Sequence, residues 1–494
     1  MNMLELKNIE PRDYQLEIFE TSKENNTIVV LPTGTGKTLN ALLLSLYRLN
    51  KIKDSKVLIV APTKPLCEQH KKTYIENTNI GKENISLLTG LVKPKERESL
   101  YKNSNLIIAT PQTVKEDLSK NIISLKNFSA LIIDEAHRAV GNYAYTFLTK
   151  KYTEDSEFPR ILALTASPGG NKQKINEICD NLLIDAVEIR TEEDIKEHIQ
   201  EKNIRWLNVD LPTSLKEINL LLKNVYKQKL QDLKKVGFTK PLSIISKKDL
   251  IILQNTFRKQ LFRKNPSTFY GLSLTAFLIK LDYASELLET QGLKPLSNFF
   301  EKLETDTSKA AKNILNFKEV QKAITLTKKL NEKDVKHPKL YMLKGLIRKE
   351  LQENPKARII TFANYRATID EIIEFLNEED NIHAVKLVGQ KSGITQKKQV
   401  ETIKRFEEGI YNVICTTSVG EEGLDISGGT VAIMYDQGSS SEIRKIQRAG
   451  RVARVKSGKI IVLLTNNTRE IGYYWIAKRK EKTMKSTLLK LQEK

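Results

Sequence analysis

Short, almost unbroken runs of apolar and β-branched residues recur along this chain, each followed by a stretch with the length and pattern of a helix. Between about residues 27 and 167 the runs are TIVVL, KVLIVAP, LIIAT, ALIIDEAH and ILALTAS. A strand that is apolar at nearly every position is buried on both faces, which calls for a parallel sheet with helices above and below it. The same rhythm returns after His337 in ARIITFANY, AVKLVG, YNVICTTS, TVAIMYD and GKIIVLLT. The stretch between them has few strand signals and sets Ile218, Leu221, Leu222 and Val225, then Ala284, Leu287 and Leu288, at helical spacing. The expected fold class is α/β, with two parallel-sheet domains at residues 1–200 and 337–494 and an all-helical insertion at 201–336. A chain of 494 residues is too long for one core and matches a prior of about three domains. The residues from Trp475 to Lys494 read as a basic helical tail.

Composition excludes several classes. No apolar run reaches the roughly 18 residues a membrane span needs, and the start MNMLELKNIE has no apolar stretch of the signal-peptide kind. The expected location is the cytoplasm. Cys67, Cys179 and Cys415 lie far apart, so neither a disulfide framework nor a C-x-x-C metal site is suggested, and each reads as a small buried hydrophobe. A net charge of +21 favours a polyanionic partner, although a uniformly lysine-rich surface would give the same balance.

The motifs decide. Between TIVV and a helix starting near Lys37 lies Leu31-Pro32-Thr33-Gly34-Thr35-Gly36-Lys37-Thr38. Glycines let the backbone curl so that N–H groups of Thr33, Gly34, Thr35 and Gly36 surround phosphates, and the helix that follows offers its positive end. Lys37 would pair with the β- and γ-phosphates of ATP, and Thr38 would ligate Mg²⁺. Leu31 stands where the bare phosphate-loop pattern has its first glycine. Asp134 and Glu135 close the apolar strand ALII, where Asp134 can hold Mg²⁺ through water and Glu135 can orient and deprotonate the attacking water. An ordinary helix cap would also use such acids.

A second basic element completes the chemistry. The stretch QRAGRVAR carries Gln447, Arg451 and Arg454, and guanidinium groups brought in from another domain stabilise charge on a γ-phosphate during transfer. Gly423 and Asp425, in SVGEEGLD after the strand NVICTT, fit a tight turn whose acid reaches the ribose or the ATP-bound network.

With these motifs in order the chain resembles a superfamily-two helicase over nearly its whole length. The resemblance makes both sheet domains RecA-like and assigns Arg12 and Gln15 to adenine reading. It sets APTKPL (Thr63, Lys64), TPQ (Thr110, Gln112), TFANYR (Asn364, Tyr365) and Thr417 on the nucleic-acid track, and it makes the TAS motif at Thr165 a coupling element. Through the motif, His137 would link ATP to the track. DEAHRAVGNYAY, LTASPG, SVGEEGLD and YYWIAKRKEKTM narrow the resemblance to archaeal Hef and the FANCM-type translocases. That family implies a thumb-like helical insertion, DNA as track, and forked or branched DNA as substrate. It departs from the family at Ala453, in GRVAR. Hef proteins often continue into an XPF-type nuclease domain; no E-R-K-x-x-x-D signature occurs here, so either the chain is helicase-only or a nuclease lies outside it.

The insertion adds a basic series, Lys223, Lys227, Lys229, Lys234, Lys235, Lys240, Lys247, Lys248, Arg258, Lys259, Arg263 and Lys264, which would contact a duplex arm or form a solvated face. Trp206 and Trp475 read as packing residues rather than base-stacking platforms. Two rival functions remain open on the sequence: an RNA-dependent ATPase of the duplex-RNA-sensor type, and a nucleotide-gated clamp that binds junctions without moving.

Overall fold

The computed structural model describes residues 3–32, 34–166, 168, 172–191, 193–195, 197, 203–242, 245–263, 265–388, 396–417, 429–436 and 459–492. The apolar runs form strands as their composition demands. In the first domain β1 (Thr27–Val30), β2 (Lys56–Val60), β3 (Ile85–Leu88), β4 (Leu106–Ala109), β5 (Phe128–Ile133), β6 (Ile161–Thr165) and β7 (Ala186–Ile189) make one sheet. Its order is β3-β4-β2-β5-β6-β1-β7 and every pairing is parallel. All residues of β1, β4, β5 and β6 are buried, and two apolar clusters, one per face, enclose the sheet. Because all strands run one way, the loops leaving their C-terminal ends share one edge, where ligands of open α/β sheets bind.

The second sheet contains β9 (Ile359–Phe362), β10 (Ala384–Leu387), β11 (Val413–Thr416), β12 (Val431–Met434) and β13 (Lys459–Thr465). It also contains β8 (Asn203–Val209), in the all-parallel order β10-β11-β9-β12-β13-β8. This corrects the boundary at residue 201: residues 203–209 belong to the second sheet, not to the insertion. The strand NIRWLNV mixes polar and apolar residues because among the described residues it is an edge strand, paired with β13 along seven positions from Asn203↔Lys459 to Val209↔Thr465. Trp206 packs edge-on against Tyr474, 4.4 Å between centroids; Trp475 is half exposed beside the same ring.

Between β8 and the second domain's first helix (Pro338–Glu353) lie helices Thr213–Leu230, Lys247–Gln260, Pro266–Thr290, Leu293–Thr305, Lys309–Leu315 and Lys318–Glu332. Leu215, Ile218, Leu222 and Val225 pack against Phe277, Leu281, Ala284, Leu288 and Phe300 in the insertion's own core. Asn265 caps the long helix through Ser267 N, with Pro266 in its first turn. Gly292, at φ +104°, ends it against His337.

Buried polar contacts tie the insertion to the second domain. Arg469 reaches Asp282 at 3.1 Å and Glu289 at 3.0 Å. Burial pulls the Arg469 pKa down, but these acids carry it above the ordinary arginine value. Burial pushes Glu289 up, yet Arg469 and Lys223 hold it below the usual carboxylate range. Gln291 donates to Asp436 Oδ2 (2.6 Å) and accepts from Thr368 Oγ1 (2.5 Å). Lys339 and Glu470 form a pair with no exposed side-chain surface at 2.6 Å, and Glu470 also accepts from Thr465 N. Helix Arg469–Gln492 then crosses to the first domain, where Met484 joins the core beneath the sheet. Residues 469–492 are thus shared between the domains, a departure from their assignment to the second alone.

Candidate active site

The phosphate loop leaves β1 at the sheet edge. Leu31 is fully buried and its N–H pairs with Thr165 O at 3.2 Å, so this residue extends the sheet and lies in the core. A side chain is tolerated at the position of the pattern's first glycine because that position faces the core. Gly34 and Gly36 take φ of +82° and +80°, the left-handed region that favours glycine. A Cβ on Gly36 would stand 2.5 Å from Gln15 Nε2. Helix Lys37–Lys51 follows directly. Lys37 Nζ donates to Leu31 O (3.0 Å) and Pro32 O (3.5 Å), folded over the loop it would share with phosphates. Thr35 Oγ1 donates to Pro32 O at 2.7 Å. Thr38 lies in the first turn of the helix, and Thr33 lies outside the described residues.

Gln15 and Tyr14 brace this loop from helix Asp13–Glu24. Tyr14 OH donates to Thr35 O at 2.6 Å, while Gln15 Nε2 donates to Thr35 O at 3.2 Å and Gly36 O at 3.4 Å. Gln15 Oε1 accepts from Arg12 N at 2.9 Å. The motif expected to read adenine therefore also fixes the shape of the phosphate loop.

Asp134 and Glu135 follow β5, two strands from β1 with β6 between, a separation of about 10 Å at the usual strand spacing. Glu135 adopts φ +50°, ψ +48°, a left-handed conformation that costs a non-glycine residue about 1 kcal/mol and recurs at functional sites. Its N–H donates to Asp134 Oδ1 at 2.9 Å, and its carboxylate lies 3.2 Å from His137 Nδ1. The same nitrogen is 3.3 Å from Thr165 Oγ1, so His137 joins the acidic pair to the coupling motif. Tyr145 OH donates to Asp134 O at 2.7 Å. Both acids remain slightly exposed, 15% and 12%. That suits groups reaching a hydrated cation and a water molecule.

Sequence reasoning missed His70, whose Nε2 lies 3.0 Å from Asp134 Oδ2. It is carried by helix Lys64–Asn77, 64 residues from Asp134 in sequence, and no spacing rule links the two. Cys67 on that helix is fully buried, which pushes its thiol up to about 12 and makes it the inert hydrophobe expected.

The proposed track residues lie where strands end. Thr63 follows β2 as the residue before helix Lys64–Asn77, and its buried hydroxyl has no hydrogen-bond partner. Lys64 pairs with Glu68 at 3.3 Å. Thr110 follows β4 and shares a hydrogen bond with Thr113 at 2.8 Å, with Gln112 exposed beside it. Asn364 follows β9, its Nδ2 donating to Asp436 Oδ1 at 2.6 Å; the neighbouring Tyr365 ring lies 6.4 Å from that of Tyr283. Thr417 follows β11 and is buried. Gly423, Asp425, Gln447, Arg451 and Arg454 lie outside the described residues.

Comparison with known proteins agrees with this layout. A DEAD/DEAH box helicase model matches residues 12–175 and a helicase conserved C-terminal domain model matches 339–456. Residues 214–334 match a model described as "Putative ATP-dependent RNA helicase, helical bundle". The Methanocaldococcus jannaschii protein named "Putative ATP-dependent RNA helicase MJ1505" is 39% identical over 98% of this chain and 62% of its own length. The Neurospora crassa "ATP-dependent DNA helicase mph1" is 35% identical over 93% of this chain and 41% of its own. The chain thus spans less than two thirds of these relatives. The crystal structure of the Pyrococcus furiosus Hef helicase domain superposes with a TM-score of 0.74 at 38% identity, covering 94% of this chain and 98% of that one. With the phosphate loop, the acidic pair and the helical insertion in the same order, this chain belongs to the Hef/FANCM-type superfamily-two helicases.

Proposed function

We propose that this chain is an ATP-hydrolysing motor that moves on DNA and remodels branched DNA such as forks and four-way junctions. The observation that carries the reading is the shared edge of the first sheet. Lys37, Asp134 and Glu135 stand there beside the track residues Thr63 and Thr110, with His137 and Thr165 joining the acids to the coupling motif.

In this reading Gly34, Thr35 and Gly36 present N–H groups to the phosphates of ATP, and Lys37 leaves its carbonyl partners to pair with them. Thr38 and Asp134 would hold Mg²⁺, which when bound neutralises phosphate charge. Glu135 takes the proton of the attacking water. Arg451 and Arg454, with Gln447, would complete the site from the second domain, and Asp425 and Gly423 would close on the nucleotide. Arg12 and Gln15 would contact adenine. Closure of the cleft would then be linked to a step along a strand held by Thr63, Lys64, Thr110 and Gln112 on one side and by Asn364, Tyr365 and Thr417 on the other.

The insertion would hold a duplex arm. Of the basic series, Lys223, Lys229, Lys235, Lys240 and Lys247 are in ion pairs with neighbouring acids, so they contribute less free charge than their number suggests. Lys227, Lys234, Lys248, Arg258 and Lys259 are exposed and form the better candidates for phosphate contact. An XPF-type nuclease, as a further domain or a subunit, is the partner this activity would serve.

The names of the relatives favour both DNA and RNA as track, and one assay separates them. ATPase stimulation should be strongest with forked DNA. Stronger stimulation by duplex RNA would overturn the assignment to DNA.

A further inference from the structure

We infer that His70 is a positioning residue for the metal-binding carboxylate of Asp134, holding it in the orientation that Mg²⁺-nucleotide binding needs. The inference rests on the reading of Asp134 given above and deepens it.

His70 is 4% exposed. Its Nε2 lies 3.0 Å from Asp134 Oδ2, while its Nδ1 is buried without a hydrogen-bond partner. A buried N–H without an acceptor is costly, so a proton on Nδ1 is disfavoured. In the Nε2–H tautomer the ring donates to Asp134 Oδ2. On the other side Asp134 Oδ1 accepts the Glu135 N–H at 2.9 Å. Each carboxylate oxygen thus has one fixed donor and keeps further lone-pair capacity. That is the arrangement a carboxylate requires to meet a hydrated divalent cation in one defined plane.

The donor is itself locked. Cys67, His70 and Tyr74 share the buried face of helix Lys64–Asn77, and Tyr74 OH lies 2.8 Å from Ser45 Oγ on the helix that follows the phosphate loop. Helix Lys64–Asn77 therefore bridges the phosphate-loop helix and the acidic strand, with the track residues Thr63 and Lys64 at its start. Nothing about the loop or the acidic motif requires a histidine at position 70; only the convergence on Asp134 explains a buried imidazole with half its polar capacity unused.

The test measures affinity for a fluorescent ATP analogue in Mg²⁺ and in EDTA, with melting temperature as a folding control. His70→Leu, which fills the space without a donor, should weaken binding in Mg²⁺ by about tenfold and leave binding in EDTA unchanged. His70→Gln, whose side-chain amide can still donate to Asp134, should restore most of the loss. If the leucine variant does not fold, His70→Asn, too short to reach, should show the same Mg²⁺-specific loss. Unchanged affinity in Mg²⁺, or an equal loss in EDTA, would overturn the inference. An Asp134→Asn variant is the parallel control: a Mg²⁺-specific loss there without one in the His70 variants rejects only the role of His70, and no such loss removes the reading of Asp134 and this inference with it.

Discussion

The phosphate-loop half of the site and the joint between insertion and second domain are built by opposite means. The loop is local: residues 31–38 and the brace from Tyr14 and Gln15 shape it mainly through backbone conformation and hydrogen bonds to carbonyl oxygens. The joint is assembled from side chains far apart in sequence, with Arg469 on Asp282 and Glu289, Gln291 between Thr368 and Asp436, and Lys339 on Glu470. The first kind of structure leaves its N–H groups and glycines open to a ligand. The second holds two parts of the molecule together through buried pairs.

The sharpest way to break that contrast is at Lys339. Replacing it by Met removes the ammonium that lies 2.6 Å from the buried Glu470 carboxylate, and the expected loss is about 3–5 kcal/mol by urea unfolding. Pairing that change with Glu470→Leu should recover much of it, since an apolar pair removes the buried carboxylate as well. A loss well under 1 kcal/mol for the single variant would mean that the joint is as adaptable as the loop. On the other side, Lys37→Ala should lower ATP turnover by about a hundred- to a thousand-fold while the melting temperature stays close to that of the parent. A collapse in stability instead would show that Lys37, through Leu31 and Pro32, is structural first.

A gentler probe is acid. His337, at the joint, is fully enclosed: burial first, then Lys339, lower its pKa from 6.5 to about 3. The unfolded chain takes up this proton as pH falls below 6.5 and the folded chain does not until about 3, so stability is lost through that window, by up to about 1.4 kcal/mol per pH unit. Glu371, which burial raises to about 6, has the opposite sign: the folded state takes its proton first, adding stability as pH falls from about 6 towards the ordinary carboxylate value. His337→Asn, which keeps a cap acceptor for Lys339 N, should flatten the acid limb of urea midpoints measured across pH. An unchanged limb would assign acid sensitivity to other groups.

This contrast also explains what could be read from the sequence. Apolar runs announce buried parallel strands, and a strand, a glycine-rich loop and a helix in that order announce a phosphate site, because both depend on neighbouring residues. The strand 203–209 escaped because an edge strand need not be apolar throughout, and the helices after it dominate the pattern. His70, Gln291 and Arg469 escaped for a different reason: each acts on a partner more than 60 residues away. Even Leu31, a departure from the loop pattern, becomes intelligible only once its N–H is seen paired with Thr165. The basic series shows the converse, since position along the chain says nothing about the acids that pair with five of its twelve members.

The path of the backbone has one more implication. It leaves the first sheet at β7, enters the second at β8, and later returns along helix Arg469–Gln492, about 35 Å long, which ends near Asp13, Tyr14 and Glu17. One covalent link between β7 and β8 and one helix packed back through Met484, at separate points, restrict the two sheet domains more than a single linker would. Relative movement of the two sheets is therefore expected to bend the linker and to work against the Met484 contact at the same time.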